Sequence, residues 1–185
     1  VTKQTIGEGA FGKVRRCLHT KTGKVYALKQ MSMADIVSMG QVEHIMQETR
    51  ILSSISHPFV TNKFAGFTTP CNLVLIMEFC PGGDLFDQLY KHKSFSIPDT
   101  RIFTSQVLLP LEYLHGMSIV HRDLKPSNLL LNEECLLKVA DFGLSRAGRD
   151  PESDDPAAVD YYRSRTGMFP LRWTSPEAIE TLKFT

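Results

Sequence analysis

Pro81-Gly82-Gly83 divides this chain into two stretches of different character. Proline fixes φ and lacks an N–H, and the two glycines favour no regular form, so a strand arriving at this point cannot continue through it. Before the break, "GKVRRCLH" and "KVYALKQ" are short segments rich in β-branched or apolar residues, split by the turn "TKTG", and residues 1–31 are predicted to be strands. "NLVLIMEF", just ahead of the break, is an apolar run of buried-strand length. Between these lies "QVEHIMQETRILSSI", residues 41–55, predicted to be a helix with Val42, Ile45, Leu52 and Ile55 on its apolar stripe and Glu48 near it. After the break, "SIPD" matches a capping box. It predicts a helix from about Pro98 to His115, stopping at Gly116 and kinked at Pro110. Residues 117–141 alternate short strands and loops, and the acidic, proline-containing segment 148–158 is expected to be an exposed mobile loop. Strands, a hinge, then helices point to an α+β fold with two lobes and a ligand between them.

A length of 185 residues suits one domain, or two lobes sharing a cleft. The formal net charge of +1 supplies no bulk attraction to nucleic acid or to an anionic membrane, so neither is expected as a partner. Cys17, Cys71, Cys80 and Cys135 form no CxxC pair and have no zinc spacing. They are expected to be free thiols in a reducing compartment, which implies the cytoplasm or the cytoplasmic portion of a larger protein. No apolar run approaches membrane-spanning length, and no signal peptide appears. The chain starts at Val1 and stops at Thr185, soon after "SPE", and so reads as a fragment, expected to be poorly stable and weakly active or inactive alone.

Several motifs carry phosphate chemistry. "GEGAFGKV" supplies Gly7, Gly9 and Gly12, which let backbone N–H groups close on phosphate oxygens. The residues that follow alternate as a strand would and carry no helix cap, so a dinucleotide-binding turn is disfavoured. In "YALK", Ala27 and Lys29 share one strand face. The small residue leaves room for a flat base, and the ammonium can reach α- and β-phosphates. A lysine inside a cleft needs a partner, and Glu48 on the next helix is the natural one. In "HRDLKPSN", Asp123 can accept or orient a hydroxyl proton, Lys125 can neutralise a transferring phosphoryl, and Asn128 offers a neutral oxygen to Mg²⁺. Asp141 of "DFG" adds an anionic oxygen for the same metal. Phosphoryl transfer requires alignment and charge stabilisation more than covalent help.

Taken in order, the glycine loop, "YALK", Glu48, "HRDLKPSN", "DFG" and "SPE" resemble a eukaryotic protein kinase catalytic domain along the whole chain. The resemblance implies ATP and Mg²⁺ as cofactors, a protein substrate, a small lobe at 1–79 and the start of a large lobe at 80–185. It implies that Ile6, Gly7, Glu8, Gly9, Ala10, Phe11, Gly12, Lys13 and Val14 cover the nucleotide, with Leu130 beneath the base. It also makes Met77 the gatekeeper, assigns the backbones of Glu78 and Cys80 to the base, and sets Asp84 near the ribose. Leu52, Phe142 and His121 would be layers of an apolar stack, whose fourth layer would fall on Lys63, a charge that must snorkel out.

The resemblance divides over the acceptor. "MSMADIVSMGQVEHIMQETRIL" and Lys125 are similar to cyclic-nucleotide-dependent Ser/Thr kinases, whereas "DYYRSRTGMFPLRWTSPEAI" is similar to receptor-type tyrosine kinases. Pro170 stands where a Ser/Thr kinase has a threonine that bonds the catalytic Asp and Lys. The balance leans to Ser/Thr, with tyrosine or dual specificity and a kinase-fold scaffold as alternatives. Tyr161 and Tyr162 lie beside Arg163 and Arg165 and could be phosphorylated by an activating kinase or in trans. The phosphate would then bridge Arg122 and His44.

Overall fold

The computed structural model describes residues 4–9, 11–147, 162–163 and 170–184. Ala10, Tyr161, Arg165 and the segment 148–158, all named above, lie outside the described residues. Strands β1 (Gln4–Gly9), β2 (Gly12–Leu18), β3 (Val25–Ser32), β4 (Lys63–Thr68) and β5 (Asn72–Glu78) form an antiparallel sheet in the order β1-β2-β3-β5-β4. Helices α1 (Met33–Ser38) and α2 (Val42–Ser54) lie between β3 and β4 in the chain.

Three of the four residues expected on the apolar stripe of α2 are buried: Ile45, Leu52 and, just past the helix, Ile55. Val42, the first helical residue, is exposed, and Ile51 takes a buried place instead. Glu48 shares the inward face. α1 was not legible from period, since six residues make under two turns. Its start is fixed by Ser32, whose hydroxyl accepts from the Asp35 N–H at 3.2 Å. β4 is an edge strand with most of its residues exposed, so no apolar alternation marked it.

Beyond the hinge come α3 (Leu85–His92) and α4 (Ile97–Gly116). The Ser96 hydroxyl accepts from the Asp99 N–H at 3.2 Å and donates to its carboxylate at 2.6 Å, and α4 runs through a buried Pro110 to its expected end. Short pairs follow: β6 (Ile119–Val120), β7 (Leu129–Leu131), β8 (Leu137–Val139) and β9 (Arg146–Ala147), with β6 on β9 and β7 on β8. β10 (Tyr162–Arg163) pairs with β11 (Lys183–Phe184), and α5 (Pro176–Thr181) precedes β11. A β-sheet lobe followed by helices bears out the α+β class. Among the described residues no helix is long and apolar enough to cross a membrane.

The hinge and β8 lock the sheet to the rest. Val139 on β8 donates its N–H to Phe59 at 2.8 Å and accepts from Thr61 N–H at 3.0 Å. Gly82 N–H donates to the Leu131 carbonyl and Leu131 N–H to the Gly83 carbonyl, both at 2.9 Å. A Cβ on Gly82 would stand 2.6 Å from Leu131 Cβ and 2.9 Å from its carbonyl oxygen. Gly82→Ala is therefore expected to force the hinge off β7 and to cost about 2 kcal/mol, read as a lowered midpoint in chemical denaturation.

Candidate active site

The glycine loop is the β1–β2 hairpin. Gly12 faces Met31 in register, and a Cβ there would meet the Gln30 carbonyl oxygen at 1.9 Å, so only glycine lets β2 start this close to β3. Phe11 is partly buried against the core, and its carbonyl accepts from Ser32 N–H at 2.8 Å. Glu8 and Lys13 pair across the hairpin at 3.0 Å, both exposed, a contact of little energetic weight. Ile6 is exposed and Val14 half-buried, directly opposite Lys29. Gly7 and Gly9 belong to β1 and lie opposite Val14 and Gly12.

Lys29 on β3 reaches α2. Its Nζ lies 2.6 Å from Glu48 Oε1 and 3.6 Å from Asp141 Oδ1. Glu48 is 2% exposed, so this ion pair stands largely out of water. Burial alone pulls the Lys29 pKa down, but the charges and hydrogen bonds of Glu48 and Asp141 outweigh it and raise it overall. The ammonium is thus charged throughout the neutral range. Ala27, two residues earlier, is buried opposite Met77 on β5.

Cys80 is also buried, and burial pushes its thiol pKa up to about 12, ahead of the smaller effect of the Glu78 charge. The thiol is therefore protonated and inert, and the backbone is what this residue can offer a ligand. Glu78 commits its side chain to Lys138 and Asn62. Oε1 pairs with Lys138 Nζ at 2.7 Å, and Oε2 accepts from Asn62 N–H at 3.1 Å and from its amide at 3.0 Å. Asn62 and Lys138 were not singled out by sequence, since nothing local marks a buried lysine in "LKV" as a hinge support. Asp84 caps α3, accepting from Asp87 N–H at 2.8 Å, and bridges to Leu130 on β7, which brings both beside the hinge.

The second cluster is local in sequence. Lys125 Nζ donates to both carboxylate oxygens of Asp123 at 2.9 Å. Asn128 Nδ2 donates at 2.8 Å to the Asp123 carbonyl and to its Oδ2. With its NH₂ so committed, the Asn128 amide keeps Oδ1 as acceptor, the atom a hard cation would take. Asn128 is also joined to the segment just past β8, because its carbonyl accepts from Ala140 N–H at 2.9 Å, next to Asp141. Asp141 adopts a positive φ of 61° and is exposed, whereas Phe142 beside it is fully buried. Among the described residues no group of three or more His, Cys, Asp or Glu side chains could hold a metal unaided. One carboxylate and one amide oxygen fit Mg²⁺ held jointly with phosphates.

His121 underlies both clusters. Its Nε2–H donates to the Ala140 carbonyl at 3.1 Å, its Nδ1 accepts from Asp123 N–H at 3.3 Å, and Phe142 meets it edge to face at 4.9 Å. Leu52, His121 and Phe142 are all buried, and Leu52 and Phe142 share one apolar cluster. Both ring nitrogens are committed in the neutral form, and burial lowers the His121 pKa despite the nearby carboxylates. The unfolded chain takes up this proton below about pH 6.5 and the folded one resists it. Stability is therefore fully present above that pH and lost as pH falls below it, by up to about 1.4 kcal/mol per pH unit. His121→Gln should flatten this slope in urea titrations between neutral pH and pH 5. His44 and His57, whose pKa values are also lowered chiefly by burial, leave a residual slope of the same sign.

The expected threonine position is occupied by Pro170. Its carbonyl accepts from Trp173 N–H at 2.8 Å and from the Thr174 hydroxyl at 3.0 Å. Among the described residues Asp123 is the ion-pair partner of Lys125. Arg122 holds a positive φ of 62°, and its Nε donates to the Leu144 carbonyl at 2.6 Å. Burial lowers the His44 pKa, and the charges of Arg146 and Arg122 add to it. Arg146 is buried and was not singled out in the sequence.

The family model described as "Protein kinase domain" matches residues 1–185. A Caenorhabditis briggsae protein named "cAMP-dependent protein kinase, catalytic subunit-like" is 42% identical over 146 residues, covering 79% of this chain and 38% of the relative. A Dictyostelium discoideum "cAMP-dependent protein kinase catalytic subunit" is 41% identical over 147 residues, covering 80% of this chain and 23% of the relative. An Arabidopsis thaliana "Probable serine/threonine protein kinase IRE" is 43% identical over 150 residues, covering 81% of this chain and 13% of the relative. The chain belongs to the protein kinase domain family. It spans well under half the length of these relatives.

Proposed function

We propose that this chain is the nucleotide-binding and catalytic part of a serine/threonine protein kinase that uses ATP and Mg²⁺. The small lobe spans 1–79 and the large lobe begins at 80. The observation that carries the reading is the convergence of two charge clusters: Lys29 on Glu48 and Asp141, and Asp123 on Lys125 and Asn128, joined through the Asn128–Ala140 backbone bond. Lys29 orients the α- and β-phosphates. The hairpin backbone at Gly7 to Val14 covers them, the Glu78 and Cys80 backbones hold the base, and Leu130 lies under it. Asp141 and the Asn128 amide oxygen would hold the metal, which neutralises charge on the phosphate oxygens. Asp123 accepts the proton of the attacking hydroxyl, and Lys125 steadies that carboxylate while offsetting charge on the transferring group. The names of the relatives support serine or threonine as acceptor.

A second reading, tyrosine as acceptor, is favoured by Pro170, which has no hydroxyl to complete the Asp123–Lys125 pair. Incubating the full chain with radiolabelled Mg·ATP and Ser, Thr and Tyr peptide libraries decides between them. Phosphoserine or phosphothreonine is expected. Phosphotyrosine alone would favour the second reading, and no transfer together with no thermal shift by Mg·ATP would leave a scaffold. We place the protein in the cytoplasm on its four thiols. Its activity is switched by phosphorylation at Tyr161 or Tyr162, by another kinase or in trans, with Arg122 and His44 as receivers of the phosphate.

A further inference from the structure

Lys63 is the first residue of β4, opposite Met77 on β5, and the register shifts just after it. Its ammonium does not stay over the sheet. It donates to the Thr49 carbonyl at 3.3 Å and to the Ser53 hydroxyl, both on α2. The Ser53 hydroxyl in turn donates to the same Thr49 carbonyl at 2.6 Å, so ammonium, hydroxyl and carbonyl close a triangle. α2 has no basic residue of its own in its last turn, and β4 supplies a cation beside that negative end of the helix. Thr49 immediately follows Glu48, whose carboxylate holds Lys29.

We propose that Lys63 is a positioning residue that fixes the rotation and depth of α2 against β4, so that Glu48 meets Lys29. An apolar side chain at this position could fill space, but it could not select one rotation of the helix. Hydrogen bonds from an ammonium to a particular carbonyl and hydroxyl are directional and do so. The inference rests on reading the Lys29–Glu48 pair as the grip on the nucleotide.

The test uses the full chain with Lys63→Met, which keeps the stem and removes the charge, Lys63→Arg, which keeps the charge, and Ser53→Ala, which removes one acceptor without touching the strand. Two quantities are read well below the melting temperature: hydrogen exchange of the α2 amides, and kcat/KM for ATP. Lys63→Met should speed exchange from Glu48 to Ser54 about tenfold and lower kcat/KM by a similar factor. Ser53→Ala should do so by about threefold, and Lys63→Arg should restore both. In a Glu48→Gln background, Lys63→Met should add no further loss of kcat/KM, because its effect passes through Glu48. Wild-type exchange and kcat/KM in Lys63→Met, a loss that arginine does not restore, or a full additional loss in the Glu48→Gln background would each overturn the proposal. Exchange is read without substrate, so a wild-type chain inactive on every peptide would defeat the kinase reading separately.

Discussion

Asp123→Asn should lower the rate of phosphoryl transfer about a thousandfold while leaving Mg·ATP affinity close to that of the wild type. Asp123 is buried, and its two oxygens face Lys125 and Asn128 as donors. Asparagine keeps the shape and one oxygen, but it has no basic lone pair for a hydroxyl proton. It also turns an NH₂ toward groups that themselves donate. In the proposed mechanism the nucleotide grip, by contrast, rests on Lys29, Asp141 and the hairpin. Saturating-substrate kinetics set beside calorimetric titration of Mg·ATP separate the two effects. An Asp123→Asn protein within tenfold of wild-type kcat would remove Asp123 from the chemistry.

Lys29→Met should cost both stability and nucleotide binding. Glu48 is 2% exposed, and its carboxylate would lose the ammonium at 2.6 Å. An uncompensated carboxylate at such a site costs about 3 kcal/mol or more, and it answers by taking up a proton. The variant should therefore regain stability as pH falls toward 5, where wild type does not. In the wild type the Lys29 pKa is raised, so its contribution is complete below about pH 10.4 and is lost only as pH climbs through the folded value. Adding Glu48→Leu to Lys29→Met should restore much of the midpoint without restoring transfer, because a buried ion pair is replaceable for folding but not for holding phosphates. Urea midpoints at neutral pH and at pH 5, with kcat/KM for ATP, report both halves. A single variant as stable as wild type would mean that Glu48 finds another partner.

Much of the site is legible in the sequence because its chemistry is local. Asp123, Lys125 and Asn128 lie within six consecutive residues, and a short turn brings them together whatever the rest of the chain does. Glu48 was found because a helical period placed it near an apolar stripe, and the structure seats it on the inward face. The features that escaped notice depend on tertiary placement. β4 is an exposed edge, α1 and α3 are each only about two turns long, and Ser32, which caps α1, looks like an ordinary loop residue. Val42 fitted the stripe by spacing and proved exposed, because period counts neighbours along the helix and not where the helix begins relative to what covers it. The supports behind the hinge, Asn62 and Lys138, come from segments far apart in the chain. Lys63 could be recognised as out of place, but only the fold shows the carbonyl and hydroxyl that receive it.

The most direct measurement is a crystal structure of the protein with Mg²⁺ and a non-hydrolysable ATP analogue. The account requires one cleft to hold the whole nucleotide, with Lys29 on the α- and β-phosphates, metal bonded by Asp141 and the Asn128 amide oxygen, and the terminal phosphate facing Asp123. Triphosphate seated away from Lys29, or metal held by other side chains, would contradict it.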